Sequence, residues 1–253
     1  VTATAQQPNL VKVGGSDLDD VLFSRRLAEW LVAENAAGRP TALVHGGGKE
    51  ITELLSALNL ESRFVDGLRV TDAPTRDVAL MVLAGLANKR MVARVIAAGG
   101  DAIGLSGVDS ALIRVHALNP ALGYVGKPVA VNVDLLWLLL KRGHIPIINP
   151  MSIGDDDAIY NVNADHAAGA LAAALDARLL TFVTNVPGVL DGSKQLLPTL
   201  TAVEADELIE AGVINGGMVP KVRTCLEAVN GGVKRVRITN LDGLFAQGGT
   251  VFN

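Results

Sequence analysis

The chain has a single cysteine, Cys225, in 253 residues. That excludes a disulfide framework and a cysteine-based zinc cluster, and makes a reducing cytosol the expected compartment. Cys225 falls within a helical pattern and reads as a small core residue. Long apolar runs are missing too: stretches such as Leu135 to Leu140 are far too short to span a bilayer. Val1 to Asn9 lacks the charged start and apolar centre of a signal peptide, so a soluble protein is expected. There is no excess of positive charge. The formal net charge of −4 argues against a broad nucleic-acid or anionic-membrane surface, so any anion site must be local.

Several catalytic signatures are also lacking. No H-E-x-x-H occurs, and the four histidines (His45, His116, His144, His166) have no metal-ligand spacing. No G-x-S-x-G elbow is present. Gly48-Lys49 is followed by Glu50, and Leu43 stands where the first glycine of a Walker loop belongs. After the first strand, Gly14-Gly15 leads into Ser16-Asp17-Leu18 rather than a dinucleotide-binding G-x-G-x-x-G, which disfavours hydride transfer. No repeat, low-complexity tract or linker interrupts the chain.

What remains is a well-packed α/β pattern. Apolar residues make up 49% and charged residues 19%, enough for one large domain or two lobes with a sizeable core. Strand-length apolar runs alternate with helical patterns, which favours a parallel sheet covered by helices. The expected strands are Leu10–Val13, Thr41–Val44, Ala102–Leu105, Ile145–Ile148, Leu179–Thr184 and Arg235–Ile238. The expected helices are Asp17–Ala37, Lys49–Leu58, Pro74–Ala98, Val133–Arg142, Ala164–Leu175, Val203–Ala211 and Pro220–Val229. Asp72 and Pro74 provide starting chemistry for the third of these. Polar breaks near Gly123 and at Asp191-Gly192 suggest hairpins. A join between lobes, if there are two, belongs near Leu175–Leu180.

Two glycine clusters follow strands: Leu10-Val-Lys-Val-Gly-Gly15 and Leu43-Val-His-Gly-Gly-Gly48. Backbone without side chains lets amide N–H groups crowd around a phosphate, and Lys12 adds a point charge. His45, beside the second cluster, is read as structural support for the turn. In Tyr160-Asn-Val-Asn-Ala-Asp165 the three polar residues Asn161, Asn163 and Asp165 alternate, so on an extended segment they face one side. A helix cap at Asn163 with Asp165 on the dipole accounts for two of the three. Asn215-Gly-Gly-Met-Val-Pro-Lys221 again leads glycines into a helix and supplies a second lysine for a triphosphate. Arg69 is a candidate fork for a carboxylate, against the default of an exposed structural arginine.

Together, Lys12-Val-Gly-Gly15, His45-Gly-Gly-Gly48, Gly67-Leu-Arg-Val-Thr71, Asn161-Val-Asn-Ala-Asp165 and Gly216-Gly-Met-Val-Pro-Lys221 resemble the amino acid kinase family. The motifs run in the family's order from about Leu10 to Thr250. The resemblance implies an open three-layer αβα sandwich with a mainly parallel sheet. It also implies an N-terminal lobe (1–176) for the acyl substrate and dimerisation, and a C-terminal lobe (177–253) for ATP. The members most similar phosphorylate the γ-carboxylate of N-acetyl-L-glutamate in arginine biosynthesis.

By matching position, the resemblance makes Lys12, Lys221 and Asp165 catalytic, with the lysines neutralising the travelling phosphoryl group and Asp165 orienting them. Gly46, Gly47, Arg69, Asn161 and Asn163 would hold the acyl substrate. Gly14, Gly15, Thr184, Asn185, Gly188, Gly217 and Met218 would hold the nucleotide. ATP with Mg²⁺, the ion held mainly by phosphates and water and by no dedicated protein cage, completes the set. A homodimer through helix 74–98 is expected, with no nucleic-acid or membrane partner.

Nine residues precede the first strand, whereas arginine-inhibited members carry an extra N-terminal helix. This suggests a dimer without that feedback, although Gly248-Gly-Thr-Val251 partly matches the arginine-sensitive type. The rival substrate is carrier-protein-linked α-aminoadipate in lysine biosynthesis. Glu61–Asp72, with two arginines against three acids, lacks the basic surround that such a carrier needs. A non-catalytic effector-binding protein on the same fold would typically have lost Lys12, Lys221 or Asp165, and all three are present.

Overall fold

The computed structural model describes residues 6–253, so part of the stretch inspected for a leader lies outside the described residues. Thirteen strands are formed. These are β1 (Asn9–Val13), β2 (Thr41–His45), β3 (Phe64–Val65), β4 (Leu68–Arg69), β5 (Ala102–Gly107), β6 (Ile113–Ala117), β7 (Gly126–Val131), β8 (Ile145–Gly154), β9 (Ile159–Asn161), β10 (Leu179–Val183), β11 (Thr199–Leu200), β12 (Val236–Thr239) and β13 (Thr250–Phe252). The α-helices are α1 (Gly15–Asp19), α2 (Val21–Ala36), α3 (Gly48–Ala57), α4 (Ala73–Leu80), α5 (Asn88–Ala97), α6 (Asp134–Lys141), α7 (Ala164–Ala174), α8 (Ala202–Glu210), α9 (Met218–Asn230) and α10 (Leu241–Phe245).

One sheet of eleven strands runs β11-β13-β12-β10-β1-β2-β8-β6-β7, with β5 and β9 also pairing to β8. Its centre is parallel: β1 lies between β10 and β2, with Leu10 level with Leu180 on one side and Ala42 on the other. The antiparallel pairs are β6–β7, β8–β9 and β12–β13. Successive side chains of β1 point to opposite faces, and both faces are covered, which is why Leu10, Val11 and Val13 are all apolar and buried. Leu10 joins a core with α6, α7 and α9, through Leu136, Leu171 and Cys225. Val11 and Val13 join the other, with α2, α5 and α10, through Leu27, Met91 and Leu244. The expected αβα sandwich with a mainly parallel sheet is the fold observed.

The differences from the sequence reading are local. The helix expected over Asp17–Ala37 breaks at Asp20, whose backbone is extended (ψ 115°) and whose carboxylate caps α2 by accepting from Leu22 and Phe23 N–H. The helix expected over Pro74–Ala98 starts one residue earlier, capped by Asp72. Its middle, Met81–Ala87, is π-helical before α5 resumes. β8 continues past Ile148 to Gly154 because β9 folds back on its end. The turn at Asp191-Gly192 forms as expected, bridged by Leu190 and Leu196. Gly123 lies in the connection between the paired strands β6 and β7. β3 and β4 form a small hairpin apart from the main sheet.

Candidate active site

The site lies where β1, β2 and β10 end, at the carboxyl edge of the parallel sheet, the usual place for ligands in open α/β folds. Beyond β1 come Gly14-Gly15 and α1; beyond β2 come Gly46-Gly47 and α3. The two loops touch backbone to backbone, so that a Cβ on Gly15 would overlap Gly47 Cα. Gly47 is closed from behind as well, since a Cβ there would lie 2.8 Å from Leu83 Cδ2 of the π-helical segment. Glycine at position 15 is a packing requirement before any ligand is considered, whereas at position 47 the end of the Leu83 side chain would have to shift. Gly46 differs: its N–H donates to the Val13 carbonyl at 3.2 Å, so this amide is engaged within the protein.

Lys12, near the end of β1, crosses to Asp165 in the first turn of α7, with Nζ 2.6 Å from Oδ1 and both side chains mostly buried. The approach is off-line for a hydrogen bond, and Asp165 Oδ1 keeps an unsatisfied lone pair. Two cavities share this ion pair. One of about 240 Å³ is walled by Gly14, Gly15, Gly46, Gly47, Arg69, Asn161 and Asn163. The other, about 170 Å³, is walled by Thr184, Pro220, Lys221 and Thr224. Residues 12, 165 and 221 therefore meet around one space. Among the described residues Lys221 forms no ion pair; its Nζ donates to Asn185 Oδ1 at 3.1 Å. Asp17, which sequence reasoning passed over, is half-buried beside them. Burial raises its pKa, against the lowering pull of Lys12, the Gly14 amide and Lys221.

Arg69 is buried rather than exposed. Its guanidinium donates to the Gly48 carbonyl at 2.7 Å, to Thr52 Oγ1 at 3.0 Å and to Ser62 Oγ, and lies 4.7 Å from the Phe64 ring centre. Burial lowers its pKa from the ordinary arginine value. Ser62, Thr52 and Phe64 carry no motif, and their role emerges only from the fold. Asn161, Asn163 and Asp165 are not on one extended segment. β9 ends at Asn161, Asn163 caps α7, and Asp165 is helical. The cap is real, with Asn163 Oδ1 accepting from Asp165 N–H at 2.7 Å. All three still face the first cavity, because the strand-to-helix turn wraps around it.

Gly14 and Gly15 line the first cavity and not the second, where Thr184 lies. Thr184 follows β10, and its hydroxyl donates to Asn185 Oδ1 at 3.1 Å. Gly188 and Met218 line a third, largely apolar hollow with Val186, Pro187, Val213 and Ile214. A Cβ added at Gly217 would meet nothing within 4 Å. Among the described residues, no group of three or more His, Cys, Asp or Glu side chains is placed to hold a metal ion.

Two glycine loops line the first cavity and two lysines the second, with Lys12 common to both; comparison with known proteins identifies the lineage. The model of the amino acid kinase family matches residues 8–240. The chain belongs to the amino acid kinase family. Within it, the chain is 51% identical over 249 residues to acetylglutamate kinase of Roseiflexus castenholzii, covering 96% of this chain and 94% of that one. It is 52% identical over 250 residues to acetylglutamate kinase of a Roseiflexus species (strain RS-1), covering 97% and 94%. Among solved structures, smu.665 from Streptococcus mutans UA159 superposes with a TM-score of 0.81 at 28% identity, covering 97% of this chain and 98% of that one. This amino acid kinase therefore shares nearly its whole length with relatives named for one reaction.

Proposed function

We propose that the protein transfers the γ-phosphoryl group of ATP to the γ-carboxylate of N-acetyl-L-glutamate, giving N-acetylglutamyl 5-phosphate for arginine biosynthesis. The observation that carries this reading is the Lys12–Asp165 pair common to two adjoining cavities. An acyl substrate in one and a triphosphate in the other meet at Lys12. The names of the relatives supply the acceptor.

The carboxylate is ionised at neutral pH and already nucleophilic, so no general base is needed. The obstacle is repulsion between two anions and the requirement for in-line approach. Arg69 and Asn161 grip the α-carboxylate, and Asn163 lies at the acetamido end. Gly47 N–H and the Gly14-Gly15 amides face the carboxylate and phosphate oxygens, with Gly46 shaping the wall. Lys12 and Lys221 spread the charge of the moving group, while Asp165 holds them in place. Thr184, Asn185, Gly188, Gly217 and Met218 bracket the nucleotide.

Mg²⁺, when bound, neutralises charge on the β- and γ-phosphates. Its shell comes mainly from those oxygens and water, which suits a site whose nearest acids are Asp165, engaged by Lys12, and the half-buried Asp17. We assign acyl-substrate binding to residues 1–176 and nucleotide binding to 177–253. We also infer a homodimer through the helical rod 73–97, supported by Met81 and Leu86, which are 63% and 52% exposed on it. Cytoplasmic location fits a biosynthetic enzyme, and among the described residues no helix is long and apolar enough to cross a membrane.

The test is a hydroxamate trap for acyl phosphate, run with ATP and N-acetylglutamate beside glutamate and a carrier-linked α-aminoadipate. Signal with N-acetylglutamate alone supports the reading. Signal confined to the carrier-linked substrate replaces it with the rival, and no signal with any acceptor defeats the kinase assignment.

A further inference from the structure

His45 ends β2, fully buried, directly before the glycines that wall the first cavity. Its ring is held at both nitrogens. Nδ1 lies 3.0 Å from the Gly46 carbonyl, and Nε2 lies 3.1 Å from Asn88 Nδ2, at the start of α5. Asn88 Nδ2 also donates to the Ile147 carbonyl at 2.8 Å, and Asn88 Oδ1 accepts from Lys89 Nζ at 3.2 Å.

These contacts fix the protons. A carbonyl only accepts, so the Asn88 group facing Ile147 is the NH₂; its second hydrogen has His45 Nε2 at 3.1 Å and the Leu105 carbonyl at 3.5 Å, and goes to the nearer ring nitrogen. Nε2 is then an acceptor, and the ring proton is on Nδ1, donated to the Gly46 carbonyl. An imidazolium would set N–H against N–H at Asn88. Burial independently lowers the ring's pKa to about 4, so the neutral ring is the form present at neutral pH.

The Gly46–Gly47 peptide is trans. Its carbonyl and N–H therefore point in opposite directions. Turning the carbonyl back to the imidazole turns the Gly47 N–H away from the ring, and Gly47 lines the first cavity. No hydrogen bond to that N–H occurs among the described residues. Gly15 and Leu83 pack against Gly47, but among the described residues the Gly46 carbonyl has no hydrogen-bond partner other than the imidazole, which fixes its direction.

We propose that His45 and Asn88 are positioning residues for the transfer reaction: the neutral Nδ1–H ring, held in that tautomer by Asn88, sets the Gly46–Gly47 peptide so that its amide presents to the reacting anion. This builds on the kinase reading above for its substrate, while the tautomer is a property of the protein alone.

The experiment pairs two substitutions. In His45→Asn the side-chain amide occupies the place of Nδ1 and can still donate to Gly46. In His45→Gln the amide reaches instead towards Asn88, and the Gly46 carbonyl loses its donor. The expected result is a kcat about 10²-fold lower in H45Q than in H45N, the scale of a small misplacement at a reacting centre. Both variants are checked for native circular dichroism and similar denaturation midpoints. Long-range ¹⁵N–¹H spectra of the wild type should show one non-titrating histidine, protonated at Nδ1 and bare at Nε2, that vanishes in both variants.

Equal kcat in two folded variants, or an Nε2–H signal for His45, overturns the proposal. If either variant fails to fold, Asn88→Ala with the same spectra decides it: retention of a pure Nδ1–H form in that variant overturns the part assigned to Asn88, and a mixed or shifted tautomer supports it. A wild type inactive with N-acetylglutamate but carrying the Nδ1–H signal would defeat the substrate assignment and leave the tautomer standing.

Discussion

Lys12 and Asp165 lie 2.6 Å apart in a mostly buried setting, with Lys221 on the same cavity wall. Removing one preorganised charge from a transferring group costs a factor of about 10²–10³ in kcat. Lys12→Ala and Lys221→Ala are each expected to show that loss in a coupled ADP-release assay, and wild-type turnover in either would remove that lysine from the chemistry. His45 makes a separate, thermodynamic prediction. Its folded pKa of about 4 lies below the unfolded value of 6.5, so between them the unfolded chain binds more protons. Stability therefore rises with pH across that window and is lost as pH falls through it, by about 3 kcal/mol in all. Urea denaturation at pH 4.5 and 7.5 should show the difference, and His45→Asn should flatten it. A slope unchanged in H45N would assign the effect to other groups. At this scale the sequence exposes the glycines and lysines, which sit in short contiguous motifs. The motif Ala87-Asn-Lys89 is visible in the sequence, but what Asn88 does depends on a contact with a residue 43 positions away.

Helix boundaries were legible where a short polar side chain could cap. Asp72 accepts from Thr75 N–H at 2.9 Å, and the helix starts at Ala73, within one residue of the start that Asp72 and Pro74 suggest. Asp20 performs the same task for α2, and that capping splits what hydrophobic spacing alone reads as one helix. Replacing either by alanine is expected to cost about 1 kcal/mol, a fall of about 2–4 °C in Tm for a chain of this size. Scanning calorimetry would detect it, and an unchanged Tm in both would mean the caps contribute nothing. The π-helical turn left no trace in the sequence, because one extra residue per turn barely alters apolar spacing over so short a run. Edge strands were missed for a related reason. β7 is exposed at Lys127, Val129 and Ala130, so it lacks the continuous apolar signature of the doubly covered central strands. Helix α5 also ties the two glycine loops together through Arg90, which contacts Asp19 at the end of α1 and Glu50 in α3.

Across the whole molecule, the layer order followed from the alternation of buried strands and helices, and the position of the site from which strands end in glycine. The pairing partners of β8, which takes β2, β5, β6 and β9, had no such signature. The proposed dimer belongs to this scale. Met81→Asp with Leu86→Asp places two charges on the exposed side of the rod, and sedimentation should shift from dimer to monomer mass. Persistence of a dimer would relocate the interface. The β3–β4 hairpin shares no strand pairing with the main sheet, yet its Arg69 and Phe64 wall the first cavity. On the proposed assignment, acceptor choice rests largely on a hairpin outside the main sheet. A library randomised over residues 60–68, with Arg69 and the glycines kept, can be screened for new carboxylic acids without re-engineering the scaffold that delivers the phosphoryl donor.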